Sequence, residues 1–429
     1  MLPSVSSLLK NFRPLAILLT LSVLFATTAW AAQEAVLHNF TGNSAGSYPF
    51  SNLIWDRFGN LYGESYGDFS SEGNVFELSP DGNGGWTYTE IYGFGFDGLG
   101  GGAYPEGPLT MDDDGNLYGV TSFGGTNSTG TVYKLNKTDG TWTITYLYNF
   151  GPQLGGDGFN PNSVVYYHGA LFGTTPYGGK GEGQSGTVFT VWPNSNGGWS
   201  ESILHNFAVS NNDGQHPNGG LAFDSEGNIY GTTFFGGSNQ GGTVFQLSRL
   251  SDGSWQEHTL HSFTYRDGYQ PGAATPVFDS QGNLYSTTAG GGSAGLGVVF
   301  ELTPSGNKWT ETILHNFTGG EDGASPNGIT FDSHGHLFGT TTMGGGNGIC
   351  LDQYHNYQNV YCGAVYKLTP SASGLWKESL LYGFPGGANG SVPVASVVLD
   401  SGDNVYGVAS QGGAVGLGVA FRISNAAAH

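Results

Sequence analysis

The sequence predicts an all-β fold: a seven-bladed β-propeller of four-stranded antiparallel blades, closed by an N-terminal strand that completes the last blade. Three observations predict it. First, one unit recurs: G-N-L-Y-G-T-T, a Gly-rich loop, G-T-V-F-x-L, then W-x-E-x-x-L-H-x-F. Its core falls at Gly59, Gly115, Gly169, Gly227, Gly282 and Gly335, with a degenerate seventh at Asp403. Second, the endpoints Phe40, Phe94, Phe150, Phe207, Phe263, Phe317 and Phe384 are 54, 56, 57, 56, 54 and 67 residues apart. Long repeats of four strands belong to propellers, whereas a β-helix rung is far shorter. Third, the Trp-led segment occurs at Trp86, Trp142, Trp199, Trp255, Trp309 and Trp376, one copy short. The missing copy stands at the other end of the chain, as Val36-Leu37-His38-Asn39-Phe40.

The chain opens with a secretory signal pattern over 1–31. Lys10 and Arg13 give a positive start, Leu15 to Ala26 an apolar core, and Ala29-Trp30-Ala31 a small-x-small cleavage site. The alternative is a retained membrane anchor, but the apolar core falls short of the roughly 20 residues that span a bilayer. The propeller is expected over 32–425, with a short tail at 426–429.

Repeat four shows the elements. Gly219 to Asp224 reads as the first strand, Asn228 to Thr233 as the second, Thr243 to Leu247 as the third, and Trp255 to Phe263 as the fourth. All are rich in β-branched and aromatic residues and bounded by turn formers. Asp224-Ser225-Glu226-Gly227-Asn228 is the first turn, with Gly for positive φ and Asp to bond the turn amides. Asp112-Asp113-Asp114-Gly115 takes that place in repeat two. It resembles a calcium loop but lacks the alternating ligand spacing, so it reads as a hairpin. Such a sheet cannot bury both faces alone, and packing blades around an axis solves that problem.

Composition narrows function. Against 12 basic residues stand 33 acidic ones, a formal charge of −21. That surface repels phosphate backbones, and no basic patch with interleaved aromatics occurs, so nucleic acid is not an expected partner. No membrane span is expected after signal removal, and a monomer is expected. Cys350 and Cys362 lie in one insertion in repeat six. Export favours a disulfide between them. The rival is a metal pair with Asp352 and His355, for which two thiols make a poor set.

The unit D-S-E-G-N-I-Y-G-T-T-F-F-G-G, with G-T-V-F-Q-L and W-Q-E-H-T-L-H-S-F, resembles the GloVer tandem repeat of exported bacterial proteins. The D-x-x-G-N-x-Y core is also similar to NHL-type propeller repeats. The first resemblance implies a secreted, periplasmic or extracellular protein. The second supports the fold and leaves function open, because its members range from partner-binding modules to lyases and lactonases.

Antiparallel order puts the loop between strands two and three on the same face as the link from strand four to the next blade. These are the variable, Gly-rich connections, where function is expected. Two sets of candidates lie there. Asp157, Asp213, Asp267 and Asp322 each precede Gly and could hold a divalent cation or sugar hydroxyls. Their repetition also suits plain turn shaping. Phe123, Tyr177 and Phe235 precede Gly-Gly in repeats two to four, where Gly290, Met343 and Gln411 stand in repeats five to seven. With Phe234 they predict an aromatic platform on one sector, suited to stacking on saccharides. The competing expectation is that they wedge between blades. His38, His205, His261 and His315 exchange with Tyr92, Tyr148 and Tyr382, which suits packing rather than metal binding or base catalysis. No nucleophile elbow, zinc helix or phosphate loop occurs, and no catalytic residue, cofactor or metal site is predicted. The expected function is binding of a carbohydrate or an extracellular protein partner. The alternatives are a metal-dependent lyase or lactonase, and a purely structural array.

Overall fold

The computed structural model describes residues 32–424, apart from 69–70, 96–100, 181–182, 209–211, 273–274, 307 and 347–361. The signal segment, the tail and Cys350 therefore lie outside the described residues. Cys362 is buried where the sixth and seventh blades meet.

Seven antiparallel sheets form the ring. Blade four is typical. Its innermost strand is split into Gly214–Pro217 and Ala222–Phe223. The others follow outward as Ile229–Gly236, Thr243–Arg249 and Trp255–Ser262. The innermost strand thus starts five residues before the expected Gly219 and is interrupted. Pro217 has no N–H for the ladder, and His216 before it has φ of 54°.

Closure is as expected. Gln33–Asn39 pairs antiparallel with Val419–Ser424, with Val36 opposite Phe421 and a bulge before His38. The hydrophobic core is correspondingly divided into seven, each part lying between two neighbouring blades. The part that joins the last blade to the first holds Phe40, Leu53, Phe76, Tyr406 and Val408. Among the described residues no helix is long and apolar enough to cross a membrane.

The repeated letters have physical reasons. In G-N-L-Y-G, the second Gly lies under an aromatic ring of the third strand. A Cβ on Gly231 would stand 2.5 Å from Phe245 Cζ. The Gly that opens the third strand meets the next blade. At Gly242 φ is +94°, and a Cβ there would lie 2.5 Å from Pro271 Cδ. The Asp of the first turn is a hook. Asp224 Oδ1 accepts the Glu226 and Asn228 N–H groups, while Oδ2 accepts Asn228 Nδ2 and Tyr230 Oη. Asp112 makes the same set, so its turn is the hairpin the sequence suggested.

The His/Tyr exchange is also explained. At all seven positions the ring meets the following Phe edge-on, with centroids 4.5 to 5.1 Å apart. Tyr and His both present a flat ring with a polar tip, and the tips find partners such as Asp157 for Tyr148 and Asp322 for His315.

Candidate functional site

The loop face is built on seven X-Pro dipeptides, one per blade. Tyr48, Tyr104, Asn160, His216, Gln270, Ser325 and Val392 precede Pro and have φ between 51° and 59°. A side chain in this region costs about 1 kcal/mol or more. The conformation lets each N–H donate to a carbonyl of the preceding blade, at 2.7 to 2.9 Å. The ring of turns is thereby tied blade to blade, and their side chains form the rim of the axial channel.

The residues just after those prolines line the channel: Phe50, Glu106, Asn162, Asn218, Gly272, Asn327 and Val394. The cavity they enclose measures about 240 Å³. Two of the asparagines also join blades. Asn162 donates to Asn218 Oδ1 at 2.9 Å and to Pro217 O at 3.2 Å. Asn327 donates to Pro393 O at 2.8 Å.

Among the described residues, aromatic rings line this mouth over blades one to five. Phe123 and Tyr177 are 40% and 45% exposed, among the most exposed large apolar side chains, while Phe234 and Phe235 are half-buried. They fall into two strips. In blades one and two, Phe50, Tyr66, Tyr104 and Phe123 follow one another at 5.0 to 5.8 Å between centroids. In blades three and four, Phe159 stacks on Tyr177 at 5.5 Å, and His216 lies between Tyr177 and Phe235 at 5.3 and 5.9 Å. Phe234 meets Phe235 edge-on and lines the channel. Across the mouth, Gly290, Met343 and Gln411 supply no ring. Tyr265 and Tyr269 of blade five pair at 5.8 Å and extend the aromatic arc by one blade beyond the sequence reading. Tyr269 sits beside Gly290, its partner across the sheet.

The four aspartates are not brought together. Each is held in its own link between a fourth strand and the next blade. Asp157 accepts from Tyr148 Oη and the Gly151 and Gly158 N–H groups. Asp213 pairs with His205 at 3.3 Å, and Asp267 accepts the Thr264 N–H. Asp322 accepts Thr318 N–H and Oγ1. Behind them lie Glu201, Glu257, Glu311 and Glu378 of the following blades. Burial, and then the charge of the neighbouring Asp, raise these Glu carboxyls: to about 8 for Glu201 and about 7 for Glu311 and Glu378. The geometry gives the aspartates a turn-locking part at the blade seams.

A buried acid escaped the sequence reading. Glu64 stands in blade one where Thr174, Thr232, Thr287 and Thr340 stand in blades three to six. It accepts a short hydrogen bond from Tyr133 Oη, and its Oε2 is buried without a partner among the described residues. Burial raises it to about 8, opposed by Tyr133 and aided by the charge of Glu106. Glu106 is raised chiefly by burial and is the only acidic side chain lining the channel among the described residues. The signal was a carboxylate in a Thr column.

A family model of the Gloeobacter/Verrucomicrobia repeat matches residues 21–182 and 162–351. The chain belongs to that family. No curated protein sequence matches it significantly. Among solved structures, the extracellular domain of a one-component system from B. thetaiotaomicron is 10% identical with a TM-score of 0.52. That match covers 92% of this chain and 40% of that one. A protein named a gluconolactonase is 14% identical with a TM-score of 0.41, over 72% of this chain and 88% of that one. A protein from Thermus thermophilus, named an oxidoreductase of the glucose dehydrogenase type, is 14% identical with a TM-score of 0.42. It covers 76% and 98% of the two chains. Similarity at this level speaks to the propeller fold alone.

Proposed function

We propose that this repeat protein is an exported binding propeller that takes a carbohydrate on its loop face. The observation that carries the reading is the arc of rings at the channel mouth, which runs over blades one to five among the described residues and has Tyr265, Tyr177, Phe50 and Phe123 exposed. Sugar rings present C–H faces to aromatic planes, and the nearby backbone and amide groups offer hydroxyl partners. A channel of about 240 Å³ holds at most a small end group, so most of a glycan would lie across the rim. The N-terminal signal pattern supports export. A glycan array on the purified protein, followed by titration of the best ligand, tests the proposal. Tyr177→Ala should weaken that ligand about tenfold, near 1.4 kcal/mol, with little change in Tm. An array without hits, or a variant that binds as well as the parent, would sink it.

A second reading has one observation behind it. Glu106 lines the channel with the protonatable Glu64 near it, an arrangement suited to acid–base chemistry. The loop aspartates give no converging set for a metal-held lyase or lactonase centre. A screen with lactones and acidic polysaccharides would reveal such an activity, and Glu106→Gln should abolish it. Turnover that survives the substitution would reject Glu106 as the acid.

A further inference from the structure

On the opposite face, where the Asp hooks lie, blade three has Tyr166 in place of the hook Asp, and blade six keeps the Asp but changes its partners. In blades one, two, four, five and seven the hook Asp Oδ2 accepts an Asn amide and a Tyr hydroxyl. Blade six reads Asp332-Ser333-His334-Gly335-His336-Leu337-Phe338. His336 replaces the Asn, Phe338 replaces the Tyr, and a second imidazole, His334, sits at the turn tip. Asp332 Oδ2 has thus lost both neutral donors and contacts His336 Nδ1 at 2.6 Å. The next blade breaks the pattern at the facing position. Asp403 occupies the slot that is Gly in the other six blades, and it keeps the positive φ, 56°, that the slot demands. Asp403 Oδ2 lies 3.9 Å from His334 Nδ1, and Asp332 Oδ2 lies 4.0 Å from the same atom.

We propose that Asp332, His334, His336 and Asp403 form a binding site for a zinc-like divalent transition-metal ion bridging blades six and seven. The ligand atoms of Asp332, His334 and His336 lie within 4.8 Å of one another. Ligands of a tetrahedral zinc stand about 3.4 Å apart, so rotation of the one exposed side chain, His334, with a shift of the partly buried Asp403 towards it, would complete the set. The His334 side chain is 67% exposed and free to move, whereas that of Asp332 is fully buried and gives a fixed anchor. Two imidazoles with two carboxylates select zinc and its neighbours over calcium or magnesium, which prefer all-oxygen shells. The other His–carboxylate cluster, His261 with Asp267 and Glu311, has counterparts at the neighbouring seams, in His205 with Asp213 and His315 with Asp322. That repetition marks it as packing, while the blade-six set occurs once.

The repeat itself supplies the controls, because each reversion installs what another blade already uses. His336→Asn and Asp403→Gly restore the common pattern, and His334→Gln copies Gln281 of blade five. Calorimetric titration of the full, tag-free chain with zinc chloride should show one ion bound per chain, with a rise in Tm that a chelator reverses. Each reversion should weaken binding about tenfold or more. Asp403→Gly, which relieves a positive φ, should leave the metal-free Tm unchanged or higher. A parent that ignores zinc, or prefers calcium, would overturn the site. So would a triple revertant that binds zinc undiminished, or loss of binding in Glu311→Gln instead.

Discussion

The blade seams and the loop-face rim obey opposite rules. At the seams, seven copies make one contact: Gly against the next blade's Pro, ring edge against Phe, αL amide against a neighbouring carbonyl. At the rim, the same seven backbone positions carry Tyr, Tyr, Asn, His, Gln, Ser and Val, and the rings around them run over blades one to five among the described residues. Identical geometry with different side chains is what a scaffold and its binding surface should show. Uniformity reports closure and packing; departure from uniformity reports use.

The comparison can be broken at its strongest point first. Deleting Gln33–Asn39 removes the outer strand of blade seven and exposes the edge of Val419–Ser424. The loss should be on the order of the whole 5–15 kcal/mol of a folded domain, seen as loss of a cooperative melt or as association of open rings. A monomer with an unchanged melt would refute the closure argument.

A pair of glycines sharpens the contrast between seam and rim. Gly242→Ala must accept φ of +94° and a Cβ 2.5 Å from Pro271 Cδ. It should cost about 2–4 kcal/mol in denaturant unfolding. Gly290→Ala, whose methyl would meet nothing nearer than 3.5 Å, should change stability by less than about 0.5 kcal/mol. Equal costs would erase the distinction. At the hook, Asp224→Ala strands two amides, an Asn and a Tyr. A loss of about 1–2 kcal/mol is expected, because each bond is partly solvent-exposed.

The smallest effect is one of pH. Glu201, Glu311 and Glu378 have folded-state values of about 8, 7 and 7 because burial disfavours their charge. The folded chain then binds protons more tightly than the unfolded chain. Their contribution is fully present below the ordinary carboxylate range and is lost as pH rises towards 8. Tm should therefore drift downward between about pH 5 and pH 8, and Glu201→Gln should flatten the drift. A Tm that climbs over that window through these groups would reverse the assignment.

Much of the fold was legible because repetition exposes constraint. The seven Phe endpoints fixed the blade number, and the absent seventh Trp segment pointed to the N-terminal strand. The innermost strand was misread because its landmark is backbone geometry: Gly214–Pro217 is held through a positive φ at His216 that composition does not reveal. At the rim, Phe123, Tyr177 and Phe235 were visible as an asymmetry before Gly-Gly. Tyr104, Phe159 and Tyr269 were not, since they reach the rim from a different strand and meet those positions only across the sheet. Asp157, Asp213, Asp267 and Asp322 showed their turn role in sequence, but their separation at the seams is a property of the ring's radius.

The most direct test of the contrast is a matched pair of rim substitutions read against one glycan ligand. Tyr177→Ala, in the aromatic arc, should weaken binding about tenfold, while Met343→Ala, at the equivalent place across the mouth, should leave the affinity unchanged. Equal losses, or a loss only at Met343, would contradict the claim that departure from sevenfold repetition locates the binding surface.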